Sequence, residues 1–87
     1  MKTFKVYADP GHAWVAVKRN LLRDLGILEK ITPFSYQRGD TVYLEEDQDA
    51  AIFIEAFKKC FGSIPLFDER HTNDSSPIRN YYHFSLE

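Results

Sequence analysis

Four carboxylates fall within five positions in the middle of the chain, in the stretch LEEDQDAAIFIEAF at residues 44–57. They are Glu45, Glu46, Asp47 and Asp49. A calcium loop needs ligands at alternating positions with a central glycine and a distal glutamate, but this stretch turns apolar at once. The sequence therefore predicts no metal site here. An acidic ridge of these four residues could instead attract a protein partner with a basic surface, and a solvated helix edge is the alternative interpretation.

The acidic ridge also marks the start of a helix. Asp47 is placed where an N-cap belongs, and Asp49 falls in the first turn, where the helix dipole favours a negative charge. The helix start thus explains two of the four carboxylates. Glu45 and Glu46 remain as a surplus, which we interpret as the part of the ridge that could contact a partner.

A second candidate cluster combines one aromatic ring with three basic side chains. Its residues are Trp14, Lys18, Arg19 and Arg23. An aromatic ring can stack on a base while nearby cations contact phosphates, so the cluster offers a nucleic-acid interface as the alternative to protein binding. Against this, a single tryptophan is more often part of a core.

Histidines and carboxylates near the two ends of the chain are the candidates for acid–base chemistry. His12, His71 and the pair Asp68–Glu69 would have to converge from a turn and a strand end, which their spacing does not indicate. The chain has no nucleophile elbow, phosphate loop or zinc-protease motif. We therefore predict no catalytic residue, metal or cofactor, and a minimal hydrolase or nuclease is the third hypothesis.

Length and composition predict a single domain over residues 1–87. Hydrophobic residues make up 44% and aromatic residues 15%, enough apolar material for one core. Residues 1–44 hold seven Lys/Arg against four Asp/Glu, a charge of +3, and residues 45–87 hold four against nine, a charge of −5, which gives the net −2. This balance speaks against a protein that coats nucleic acid, which is usually basic overall.

The setting predicted from the sequence is the cytoplasm. The start MKTFKVYADP lacks the apolar region of a signal peptide, and no apolar run approaches the ~18 residues needed to span a bilayer. The one cysteine, Cys60, cannot form an internal disulfide, and we expect it in the core.

Alternating apolar residues predict two β-hairpins. Residues 3–18 alternate on both sides of Asp9-Pro10-Gly11-His12, where Gly11 suits the positive φ of a type II turn. Residues 34–44 alternate around Gly39-Asp40, a two-residue turn of the primed kind. The tripeptide Arg38-Gly39-Asp40 is therefore interpreted as a hairpin tip, and its alternative meaning as an adhesion motif would need an extracellular protein.

Each hairpin is followed by a helix. RNLLRDLGI predicts a short helix that Gly26 ends, and the apolar spacing from Ala50 to Phe61 predicts a longer helix that starts near Asp47 and ends at Gly62. A strand with Pro65 at a sheet edge or at its beginning follows, and residues 77–87 form a final strand or a docked tail. The fold class is α+β, with two layers: an antiparallel sheet of four to five strands and two helices on one face.

Three segments, DPGHAWVAVKRNLLRDLGI, SYQRGDTVYLEEDQDA and HTNDSSPIRNY, together resemble small proteins encoded by phages and prophages. The resemblance extends over most of the chain and implies no catalytic residues. It implies a setting, that of a mobile-element accessory protein that acts in the host cell on a host or defence protein. The leading hypothesis is therefore a non-catalytic protein that binds and modulates or inhibits such a target.

Overall fold

Six strands and two helices make up the computed structural model, which describes residues 2–86. Short 3₁₀ turns at Leu28–Lys30 and Pro77–Asn80 connect some of them. The elements in chain order are β1 (Thr3–Ala8), β2 (Ala13–Lys18), α1 (Arg19–Asp24), β3 (Tyr36–Arg38), β4 (Thr41–Glu45), α2 (Asp49–Phe61), β5 (Leu66–His71) and β6 (Tyr82–His83).

The strands form one sheet in the order β5-β1-β2-β4-β3-β6. The α+β class with two helices is confirmed, but the sheet is mixed rather than purely antiparallel, because β5 runs parallel to β1. The reason lies in the connection. Both β1 and β4 are antiparallel to β2 and so run in the same direction, and α2 carries the chain from β4 across the sheet to β5. A parallel return of this kind needs a crossover, which the helix supplies.

Both helices pack on the same sheet face. Phe53 and Phe57 of α2 contact Phe4 of β1 in T-shaped arrangements, with centroids 5.0 and 5.7 Å from that of Phe4, and Leu22 of α1 is fully buried in the same cluster. The alternation predicted for the hairpins is confirmed, since Val15, Val17, Val42 and Leu44 all contribute to this core. Burial of such side chains contributes about 1.5–3 kcal/mol each and is the main source of stability.

Glycines end both helices and shape one of the two hairpins as expected. Gly26 and Gly62 follow the helices with φ of 73° and 82°, and Gly39 has φ of 60° in the two-residue turn. The expectation for Gly11 is wrong, because its φ is not positive. The turn is held by Asp9 instead, whose Oδ1 accepts hydrogen bonds from the backbone N–H groups of Gly11 and His12 at 3.0 and 2.9 Å.

Two further expectations concern the edges of the sheet: the position of Pro65 and the nature of the C-terminal segment. Pro65 immediately precedes β5, an edge strand, which is where a residue without an N–H is tolerated. The C-terminal segment is both a strand and a docked tail. Its two residues in β6 pair with β3, and Phe84 is buried in the core beyond them.

Cys60 is exposed, so the expectation that it belongs to the core is wrong. It follows the helical spacing of the apolar stripe but lines a surface groove between α2 and the end of α1. Phe61, in the same last turn of α2, is 51% exposed. Helical periodicity identifies the face of a residue and carries no information on where the opposing layer ends.

We expect the Cys60 thiol to react with a thiol reagent in the native protein. The measurement is the labelling rate with Ellman's reagent, compared between native and denatured protein. Because the side chain is exposed, native and denatured protein should be labelled at similar rates. Labelling that requires denaturant would contradict the exposed position.

The second face of the sheet is not covered by a helix. The chain between β5 and β6 crosses part of it and buries Ile78, while Trp14 of β2 is buried beside this segment at 3% exposure. Neither residue belongs to the main core. We call this side the open face, and the residues 72–81 that cross it the strap.

Candidate functional site

The strap is attached to the open face through the buried carboxylate of Asp9. Arg79 donates from Nε to Oδ2 at 2.6 Å and from Nη2 to Oδ1 at 2.9 Å, a two-pronged ion pair. The backbone N–H of Ser76 also donates to Oδ2, at 2.9 Å. Together with Gly11 and His12, these donors let one carboxylate join the first turn of the chain to the strap, about seventy residues away.

Electrostatics favour the ionised form of this pair. The Arg79 guanidinium, followed by the N–H of Ser76, holds the pKa of Asp9 well below its usual range, and Asp9 in turn raises the pKa of Arg79. The Asp9 side chain is 0% exposed and that of Arg79 is 35% exposed. A buried carboxylate with this many donors has its charge compensated in place.

Arg79 also closes one side of an aromatic cleft. Its guanidinium carbon lies 5.4 Å from the centroid of the Trp14 ring, a cation–π contact. Tyr36 contacts Trp14 in a T-shaped arrangement with centroids 6.2 Å apart, and His83 stacks on Tyr36 at 4.8 Å. The cleft has a volume of about 400 Å³ and is lined by His12, Trp14, Phe34, Tyr36, Glu45, Asp47, Gln48, Arg79 and His83.

One wall of the aromatic cleft is the start of α2, which Glu45 caps. Its Oε1 accepts from the backbone N–H groups of Gln48 and Asp49 at 2.7 and 2.8 Å, and Oε2 accepts from that of Asp47 at 2.8 Å. The prediction that Asp47 is the N-cap is therefore wrong. The helix begins at Asp49, and Glu45, four residues upstream, accepts from the N–H of that first residue and from the two N–H groups of the turn before it.

Asp49 is fully buried and does not belong to an acidic surface, which corrects the prediction that it is part of the ridge. Its Oδ2 accepts from the backbone N–H and the hydroxyl of Thr32 at 3.0 and 2.8 Å, and from the hydroxyl of Ser35 at 2.5 Å. Ser35 in turn accepts from the N–H of Glu45 at 3.0 Å. Asp49 thus holds the segment before β3 against the first turn of α2.

The acidic ridge is consequently smaller than predicted. Glu46 and Asp47 are exposed, and Asp47 lines the aromatic cleft. Glu45 lines the cleft as well, but its carboxylate already accepts three hydrogen bonds. The ridge and the cleft are therefore one continuous region, in which Asp47 is the carboxylate best placed to meet a ligand.

The four residues of the predicted nucleic-acid cluster do not converge. Trp14 is buried under Arg79, and Lys18 lies about 13 Å further along β2, where it pairs with Asp40. Arg19 stacks over Phe84 at 5.1 Å, at the core side of the tail. Arg23 is exposed beside Asp24.

The candidates for acid–base chemistry are also separated. His12 lines the aromatic cleft, whereas His71 ends β5 and lines a different groove, and Asp68 pairs with Arg70 at 2.9 Å. His83 places Nδ1 2.7 Å from the carbonyl oxygen of Pro33. Among residues 2–86, no hydrogen bond joins an imidazole to a carboxylate.

Within the same described range, no group of three or more His, Cys, Asp or Glu side chains is arranged to hold a metal ion. No helix there has the length and apolar character needed to cross a membrane. Comparisons of the chain with protein-family models, curated proteins and solved structures gave no significant match.

Proposed function

We propose that this protein is a non-catalytic binding protein that captures an arginine or lysine side chain of a partner protein in the aromatic cleft. The observation that carries the proposal is the meeting of carboxylates and aromatic rings in one concave site, where Asp47 and Glu45 face Trp14, Phe34 and Tyr36. A cation gains both from a carboxylate and from the face of an aromatic ring. The proposal retains the expected basic partner and moves the contact from an open ridge into a cleft.

The charges around the aromatic cleft favour a cation. Arg79 is the one Lys or Arg among the described residues that line it, and Asp9 compensates its charge. Asp47 is left with an exposed carboxylate, and Glu46 adds a second one at the rim. A partner with a basic surface would therefore be attracted from a distance and then fixed by the cleft.

The aromatic rings are available for such a contact. Phe34 is 73% exposed and lines the cleft. Tyr36 is half-buried and held by His83 on one side and Trp14 on the other. A rigid ring loses little entropy when a ligand binds to it.

The setting that we propose is the one implied by the resemblance to phage proteins, a host-cell target that the chain modulates or inhibits. Binding through one basic side chain would suit such a role, because arginine is often the residue on which an interface depends. If the captured arginine is needed for the target's own activity, the bound protein would block that activity.

The proposal is tested by titrating the protein with a short arginine peptide. The matched control is the same peptide with citrulline, which keeps the shape of arginine and removes its charge. We expect saturable chemical-shift changes at His12, Tyr36 and Asp47, with a change in Trp14 fluorescence, and about tenfold weaker binding of the citrulline peptide. Trp14 is the one tryptophan of the chain, so the tryptophan fluorescence reports on this one ring of the cleft.

Substitution of Asp47 supplies the second arm. Asp47→Asn should weaken the binding of the arginine peptide about two- to fivefold, which is the contribution expected of one exposed ion pair. Asp74→Asn changes the net charge equally at an exposed position outside the cleft and should leave binding unchanged. Equal weakening by both variants, or shift changes that avoid the cleft, would overturn the proposal.

A further inference from the structure

The geometry points to a second binding site on the open face, a groove that takes single-stranded nucleic acid. This basic groove lies at the end of the sheet opposite the aromatic cleft, where β1 begins and β2 ends. It has a volume of about 490 Å³, and its lining includes Lys2, Lys5, Lys18, Tyr7 and Tyr43. No carboxylate of residues 2–86 lines it.

Three tyrosine rings form a row that starts in the basic groove, with Tyr7 and Tyr43, and ends at Tyr81 of the strap. The centroids of Tyr7 and Tyr43 are 6.1 Å apart, and those of Tyr43 and Tyr81 are 5.2 Å apart. All three side chains are half-buried, so each ring is held in place and still presents part of its surface. Aromatic rings fixed on an exposed sheet are the surface on which unpaired bases stack.

The cations lie around the tyrosine row. Lys2 and Lys5 are exposed and carry no ion pair with any carboxylate of the described chain. Lys18 forms an exposed ion pair with Asp40 at 3.1 Å and also donates to the hydroxyl of Thr41 at 3.4 Å. Arg38 extends the basic surface beyond β4, where its guanidinium covers the Tyr81 ring at 5.1 Å. In a chain with a net charge of −2, these cations are concentrated at one end of the open face, while Glu45 and Asp47 line the cleft at the other end.

A single strand fits these observations better than a duplex or an acidic protein. In a duplex the bases already stack on each other and expose only their edges, so the tyrosine rings would have no partner. An acidic protein would use the lysines and leave the rings unused. A single strand uses both, because its phosphates meet the lysines while its bases meet the rings.

The experiment measures fluorescence anisotropy of a labelled oligothymidylate of about twelve nucleotides at low salt. Three phosphate contacts predict that the logarithm of the binding constant falls against the logarithm of the salt concentration with a slope of about −2. An oligomer of the same length with abasic sites in place of every base isolates the contribution of stacking. We expect it to bind about fivefold or more weakly.

Two double variants with the same net charge locate the site. Lys2→Gln with Lys5→Gln should weaken the binding of oligothymidylate about tenfold and reduce the salt slope by about 1.4. Lys30→Gln with Lys59→Gln changes exposed lysines elsewhere and should change the affinity by less than about twofold. The inference is overturned if both pairs weaken binding equally, if the abasic oligomer or poly-glutamate binds as tightly as oligothymidylate, or if no oligomer binds. These outcomes are independent of the arginine-peptide titration, because neither lysine pair lines the aromatic cleft.

Discussion

Replacing Asp9 with asparagine is expected to lower the melting temperature by about 10 °C or more. Asparagine keeps the shape of the side chain but cannot accept from Arg79, Ser76 and the turn N–H groups as the carboxylate does, and it leaves the guanidinium without its counter-charge. The variant should also red-shift the Trp14 fluorescence, because Arg79 lies against that ring. Differential scanning calorimetry and emission spectra measure the two effects.

The same variant predicts a pH dependence with a definite sign. The pKa of Asp9 is lower in the folded protein than its usual value of 3.8. A carboxylate of this kind contributes stability above the unfolded-state pKa and loses it as the pH falls towards the folded-state value. The difference in melting temperature between wild type and Asp9→Asn should therefore be complete at neutral pH and narrow below about pH 4.

An exposed ion pair provides the control. Arg23 and Asp24 lie 3.8 Å apart with side chains 65% and 71% exposed, so Asp24→Asn should change the melting temperature by less than about 3 °C. A further variant, Arg79→Lys, keeps the charge but loses the two-pronged geometry. We expect it to lose most of the stability that the ion pair supplies to the wild type. Equal effects of Asp9→Asn and Asp24→Asn would show that the buried pair has no special role.

Local patterns in the sequence were sufficient to predict most of the elements. The two hairpins, both helices and the glycines after those helices follow from periodicity and backbone preference, which depend on neighbours in the chain. The pairing of β5 with β1 does not follow from such patterns, because it depends on how far α2 travels across the sheet. A crossover and a hairpin with a long loop leave the same local pattern.

The candidate site was predictable only in part. Glu45 and Asp47 were identified as members of an acidic ridge, and both line the aromatic cleft. Asp9 was assigned to a turn and Arg79 to a final strand or docked tail, and no spacing rule connects residues that are seventy positions apart. The sequence alone does not show that Asp9 and Arg79 form a pair.

Carboxylates near the start of α2 differ in ways that sequence position obscures. Asp49 and Asp47 carry the same side chain two residues apart, yet one is fully buried and the other is exposed. The division arises because the chain turns between β4 and α2, so that successive residues point into the core, into the aromatic cleft and into solvent. Charge density along the sequence therefore overstates the charge available to a partner.

Glu45→Ala is expected to destabilise the protein by about 2 kcal/mol, because three N–H groups, two in the turn before α2 and one at its first residue, lose their acceptor. Glu45→Gln keeps one oxygen and should cost about 1 kcal/mol. Asp47→Ala should change the free energy of unfolding by less than about 0.5 kcal/mol, since the side chain is exposed and does not cap the helix. Urea denaturation followed by far-UV circular dichroism measures all three.

This series also separates stability from binding at the aromatic cleft. Asp47→Asn should weaken an arginine peptide while the free energy of unfolding is unchanged, whereas Glu45→Gln should reduce both, because it loosens the helix start that positions Asp47. Glu46→Gln serves as the neighbouring control, because Glu46 is exposed beside the cleft but does not line it. Any loss of binding in this variant should be confined to a slower association rate at low salt. If Asp47→Ala instead proved as costly to folding as Glu45→Ala, the helix would be capped by Asp47 after all, and the carboxylate proposed to meet the partner would be committed to the helix.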